Sequence, residues 1–159
     1  MPGAARTPGP SGTPSKQLGF FLSKFTPEVA SRARQAIAIL RKRLPGASVL
    51  VYDNYNALAV GFGPNERASE AILSIAVYPR WVSLFFLKGK GLDDPSKILK
   101  GSGSVVCHVV LESVSVLGAL EICVFVVQAI ARSPGKIKGR GGKLVIKSVS
   151  AKQRPRRPA

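Results

Sequence analysis

His108 is the only histidine in the chain, and beside it stands Cys107, one of two cysteines. A thiol within reach of an imidazole is a nucleophile with its base. Here the run VVCHVVLE reads as a strand, and alternation along a strand sends Cys107 and His108 to opposite faces. Cys123 lies in a separate apolar run, and two cysteines with one histidine lack the clustered spacing of a zinc site. Asp93 and Asp94 precede Pro95, which is turn chemistry before it is acid–base chemistry. The glycine-rich pieces GKG, GSGS and GRGGK complete neither the dinucleotide fingerprint nor a phosphate loop ending in Gly-Lys-Ser or Gly-Lys-Thr. The sequence therefore predicts no catalytic residue, no metal ligand set and no cofactor, and the expectation is a protein that is not an enzyme.

Two constellations remain. The first is the pair of hairpin ends at Tyr52, Asp53, Tyr55 and Asn56 and at Arg80 and Trp81, where rings and polar groups meet; these six are the candidate ligand-binding residues, for an unidentified small ligand or protein partner. The second is cationic. Of the ionisable side chains, 24 are Lys or Arg and 8 are Asp or Glu, a formal charge of +16, and no acid follows Glu121. Lys136, Lys138, Arg140, Lys143, Lys147, Lys152, Arg154, Arg156 and Arg157 offer phosphate neutralisation without a compensating carboxylate. No aromatic is interleaved with them, so nucleic-acid binding there is expected to be unspecific.

The elements that position these residues follow from period and punctuation. Thr26, Pro27 and Glu28 supply a capping hydroxyl, a proline at the first helical position and an acid at the positive end of the helix dipole. Val29, Ala33, Ala36 or Ile37, Leu40 and Leu44 then form one apolar stripe, which LPG terminates. From Ser48 the period becomes two. SVLVYDNY and LAVGFG pair about NYNA, and EAILSIAVY and WVSLFFLKG pair about Tyr78-Pro79-Arg80-Trp81, with Pro79 at the first corner of a turn. VVCHVVLE is a fifth strand, Val116 to Ala131 a second helix, and KLVIKSVS a last strand. The class is α+β: an antiparallel sheet of five or six strands with two main helices covering one face.

Length and composition allow one domain. Residues 1–18 are expected to be a disordered Pro/Gly/Ser-rich extension, 19–150 the domain and 151–159 a basic tail. The apolar stretch Ser113 to Ile130 is long enough to test as a membrane span, but Glu121 near its centre costs about 2.5–3.5 kcal/mol there. It reads instead as a buried helix or a helix at a subunit contact, and the chain as soluble, without a membrane role. Two cysteines in apolar runs point to a reducing cytoplasm.

The helix TPEVASRARQAIAILRKRLPGA, the strand pair VYDNYNALAVGFG and the hairpin AILSIAVYPRWVSLFFLKG resemble the YdhG-like domain family of unknown function. The likeness runs from Phe25 to Glu112 and resumes less clearly at KLVIKSVSAKQRPRRP. It implies a compact intracellular α+β domain acting as a non-catalytic binding module. Some members are described as frataxin-like iron chaperones, which makes iron binding the alternative, with Asp53, His108 and Glu112 as the side chains able to contribute. An unspecific nucleic-acid-associated basic protein is the other.

Overall fold

The computed structural model describes residues 12–101 and 105–158. Helix α1 spans Pro14–Ser23, and α2 spans Pro27–Arg43. The strands β1 (Ser48–Asp53), β2 (Leu58–Gly63), β3 (Leu73–Val77), β4 (Val82–Phe86) and β5 (Cys107–Val110) follow, then α3 (Leu120–Arg132) and β6 (Leu144–Val149). No helix among the described residues is long and apolar enough to cross a membrane.

The α2 start behaves as its sequence requires: the Thr26 hydroxyl accepts from the Val29 amide at 3.3 Å. Glu28 meets Arg32 one turn on at 3.0 Å. Helix α1 differs from expectation. Pro14 to Leu18, placed in the extension from sequence, form its first half, capped by Thr13, which accepts from the Lys16 amide at 3.3 Å. Leu18, Phe21 and Leu22 give α1 an apolar face that it buries. The remainder of the expected extension, residues 1–11, lies outside the described residues. The expected second helix also starts later: Val114–Gly118 is a 3-10 turn, and α3 begins only at Leu120.

The six strands form one open sheet in the order β5-β4-β3-β2-β1-β6. Strands β1 to β5 are an antiparallel meander. β6 runs parallel to β1, Val49 facing Leu144, so the sheet is mixed and not wholly antiparallel as the sequence predicts. The chain reaches β6 by a crossover through α3, and a crossover brings a strand back in the direction of its neighbour where a hairpin would reverse it. Lys147 is the extra residue at a register shift between Val51 and Tyr52. A bulge and an exposed lysine both discourage further strand pairing on this edge.

Registers put Val49, Val51 and Asp53 in line with Leu58, Val60 and Phe62, and onward with Leu73, Ile75, Val77, Val82, Leu84 and Phe86. The apolar members of this face and the buried faces of all three helices form a single core. Phe86 meets Phe125 of α3 edge to face, with centroids 5.8 Å apart. One residue on this face is not apolar. Asp53 is fully buried at the end of β1.

Where the α2–β1 connection passes the segment leading into β6, backbone meets backbone: the Gly142 amide donates to the Pro45 carbonyl at 3.1 Å. A Cβ at Gly142 would sit on the Ala47 carbonyl, and one at Gly46 on the carbonyls of Lys138 and Gly139. Gly142→Ala is expected to lower stability by about 1–3 kcal/mol, because no flexible side chain can yield. Urea unfolding with an unchanged midpoint would show that this crossing is loose.

Candidate binding cleft at the turn end of the sheet

Two hairpin turns close at the same end of the sheet. Asn54 donates its amide to the Ala57 carbonyl at 3.0 Å, and Tyr78 to the Trp81 carbonyl at 2.9 Å. Because β6 is parallel to β1, it also ends here, Val149 facing Asp53. The chain then continues across the turns as a strap. The Ser150 amide donates to the Asp53 carbonyl at 2.8 Å, and the Arg154 amide to the Tyr55 carbonyl at 2.9 Å.

The strap is anchored by Arg156, whose guanidinium enters the core end and donates to Asp53 Oδ1 at 2.8 Å and to the carbonyls of Asn54 and Tyr55. It lies over the Phe25 ring at 5.7 Å. Lys24 stands 3.6 Å from Asp53 Oδ2, an ion pair too long to be a hydrogen bond, and donates to Gln153 at 3.2 Å. Arg157 reaches the carbonyls of Lys24 and Ser23 at the α1–α2 junction. Residues 151–158 are thus tied to the fold as a strap: a buried carboxylate needs a cation, and the strap supplies it.

Between the β1–β2 turn, the β3–β4 turn and the strap lies a cleft of about 540 Å³. Asn56 forms one side, Tyr78, Arg80 and Trp81 the other, and Arg154 with Pro155 the third. Tyr78 and Trp81 occupy the first and last positions of the turn, which brings them together; the rings stack at 4.8 Å and 22°. Trp81 keeps 42% of its surface exposed. Arg80 and Arg154 are exposed, and neither has an acidic partner among the described residues. Of the acids at this end of the sheet, Asp53 is held by Arg156 and Lys24, and Glu112, which follows the Leu111–Val82 pairing beside the β3–β4 turn, is not among the residues that line the cleft. The cleft is therefore cationic beside an open aromatic face.

Of the six residues expected at a ligand site, Asn56, Arg80 and Trp81 line this cleft. Tyr55 is exposed on the turn and offers the strap its carbonyl. Asp53 is taken up in the anchor. Tyr52 points its hydroxyl into a shielded spot without a hydrogen-bond partner among the described residues, and burial pushes its pKa above the usual tyrosine value. Tyr78, Arg154 and Pro155 also line the cleft and are not among the six. A Tyr-Pro-Arg-Trp turn carries rings at both ends, which is a readable signal for Tyr78; the arrival of Arg154 depends on the strap.

The nine cations expected to act together on a polyanion are divided by the fold. Lys136, Lys138 and Arg140 lie in the crossing segment, and Lys143 and Lys147 along the β6 edge. Lys152 and Arg154 are exposed on the strap, whereas Arg156 is buried and Arg157 is engaged with carbonyls. His108 stacks on Phe85, centroids 5.0 Å apart, while Cys107 is buried on the other face of β5. Cys123 turns its thiol to the Leu117 carbonyl at 3.5 Å. Among the described residues no three His, Cys, Asp or Glu side chains gather to hold a metal ion, and Asp53, the first oxygen ligand expected for iron, is committed to Arg156. Compared with protein-family models, curated proteins and solved structures, the chain has no match.

Proposed function

We propose that the protein is a non-catalytic intracellular binding module, of the YdhG-like kind, whose cleft takes a small anion carrying a planar ring, as a nucleotide does. The observation that carries this reading is the pairing of two arginines from distant segments, Arg80 and Arg154, with the exposed face of Trp81. A guanidinium presents parallel N–H donors that match the oxygens of a phosphate or carboxylate, and two of them hold an anion from both sides. An indole face stacks on a planar ring, a contact that contributes about 1–3 kcal/mol for a nucleobase. The Asn56 amide adds both a donor and an acceptor for the ring edge. A volume of about 540 Å³ accommodates such a molecule. Among the described residues the lining offers no carboxylate, imidazole or thiol, which favours binding over turnover.

Trp81 is the only tryptophan of the chain, so its fluorescence reports on the cleft directly. Titration with adenosine monophosphate is expected to change that emission saturably, with inorganic phosphate and adenosine each binding at least ~10-fold more weakly, a difference of about 1.4 kcal/mol. Emission that is flat up to millimolar nucleotide contradicts the proposal.

A further inference from the structure

Helix α3 leaves an apolar ridge in the open. Leu120, Val124 and Val127 are 75%, 44% and 66% exposed. Their spacing of four and three places them on one stripe of the helix. The stripe has an acidic margin: Glu121 and the Asp93–Asp94 loop share a hollow of about 190 Å³ with Leu120 and Val124. The loop is fixed against α3, because the Gln128 side chain accepts from the Asp93 amide at 2.9 Å and donates back to its carbonyl. Asp94 accepts from the Ile98 and Leu99 amides. Asp93 and Glu121 are exposed without a cationic partner among the described residues. Three of the eight acids of a chain with charge +16 thus border one apolar stripe.

The opposite flank of the helical layer has the reciprocal shape and charge. Helices α1 and α2 enclose a groove of about 300 Å³ whose floor rests on Leu18, Leu22 and Ile37, each less than a tenth exposed, with the half-buried Leu144 of the β6 edge at its side. Arg34 and Arg41, exposed and two turns apart on α2, stand at its rim. Neither has an acidic partner among the described residues.

We infer that the acid-margined α3 ridge of one copy docks into the arginine-rimmed α1–α2 groove of a second copy of this chain. A ridge with acids and a groove with cations complement one another in both respects, and complementary potentials fix register as well as attraction. Pairing α3 with α3 about a two-fold axis would instead bring Glu121 and Asp93 of both copies together, like charge against like. The two surfaces lie on opposite flanks, α3 toward β4 at Phe86 and the groove toward β6, so the contact is head-to-tail. Head-to-tail contacts extend or close into rings rather than stopping at a dimer. The patch is small, which places it among weak, concentration-dependent contacts.

Sedimentation velocity on the full chain tests this with two double variants at exposed positions: V124D/V127D removes the ridge, and R34E/R41E reverses the groove. The wild-type chain is expected to gain mass with concentration, and each variant alone to stay monomeric with an unchanged circular-dichroism spectrum. An equimolar mixture is expected to form a one-to-one dimer and nothing larger, because the first variant keeps its groove and the second its ridge. A wild-type chain that is monomeric at every concentration overturns the inference. So does a groove variant that still associates, which would mean α3–α3 pairing, or a mixture that stays monomeric.

Discussion

Replacing Arg156 with alanine is expected to destabilise the fold by about 3–5 kcal/mol, the cost of leaving one member of a buried ion pair alone. The side chains of Arg156 and Asp53 are 3% and 1% exposed, so solvent screening does not soften the loss. Without Arg156, Asp53 Oδ1 loses its 2.8 Å donor, and among the described residues Oδ2 retains only Lys24 at 3.6 Å. The carbonyls of Asn54 and Tyr55 lose a donor in the same step. The pair is not fully satisfied either: among the described residues Arg156 Nε and Asp53 Oδ2 have no hydrogen-bond partner. An apolar replacement of both residues therefore forfeits little, and Asp53→Leu combined with Arg156→Met is expected to recover at least about half of the single-variant loss. Equilibrium urea unfolding of the wild type, Arg156→Ala and the Asp53→Leu/Arg156→Met double variant measures both the loss and the recovery. An Arg156→Ala loss below about 1 kcal/mol would show that the strap is not held by its buried charge.

The meander was legible because period-two alternation specified its faces, and Asp53 falls on the same face as Val49 and Val51 by that alternation alone. An acid on a buried face implies a cation brought to it. That inference identifies the need but not the partner, since Arg156 lies more than a hundred residues away among prolines and cations that look like a solvated tail. Helix α1 is hidden within a Pro/Gly/Ser-rich stretch although Thr13-Pro14 repeats the Thr26-Pro27 start signal of α2. The surrounding Pro, Gly and Ser residues obscured it, and burial of Leu18, Phe21 and Leu22 against the rest of the fold is what holds so short a helix. The parallel pairing of β6 depends on the α3 crossover, a long-range fact with no local signature. At the cleft, the hairpin turns exposed Asn56, Arg80 and Trp81 to sequence reading, whereas the third wall exists only because the strap is anchored.

The second large effect belongs to the cleft. Hydrogen bonds to a charged group contribute about 1.5–3 kcal/mol each. Removing both guanidiniums with Arg80→Ala and Arg154→Ala is accordingly expected to weaken binding of adenosine monophosphate at least ~100-fold, or about 2.7 kcal/mol. Stability should stay within about 0.5 kcal/mol of wild type, because both side chains are exposed and the Arg154 backbone amide that ties the strap to Tyr55 survives the substitution. Trp81→Ala should cost the ring contact while leaving phosphate competition intact. The direct measurement is isothermal titration calorimetry of adenosine monophosphate into the wild-type chain and into the Arg80→Ala/Arg154→Ala variant under identical salt. The proposal predicts saturable heat in the first and heat at the level of dilution in the second; equal affinity in both, or no binding to the wild type, would contradict it.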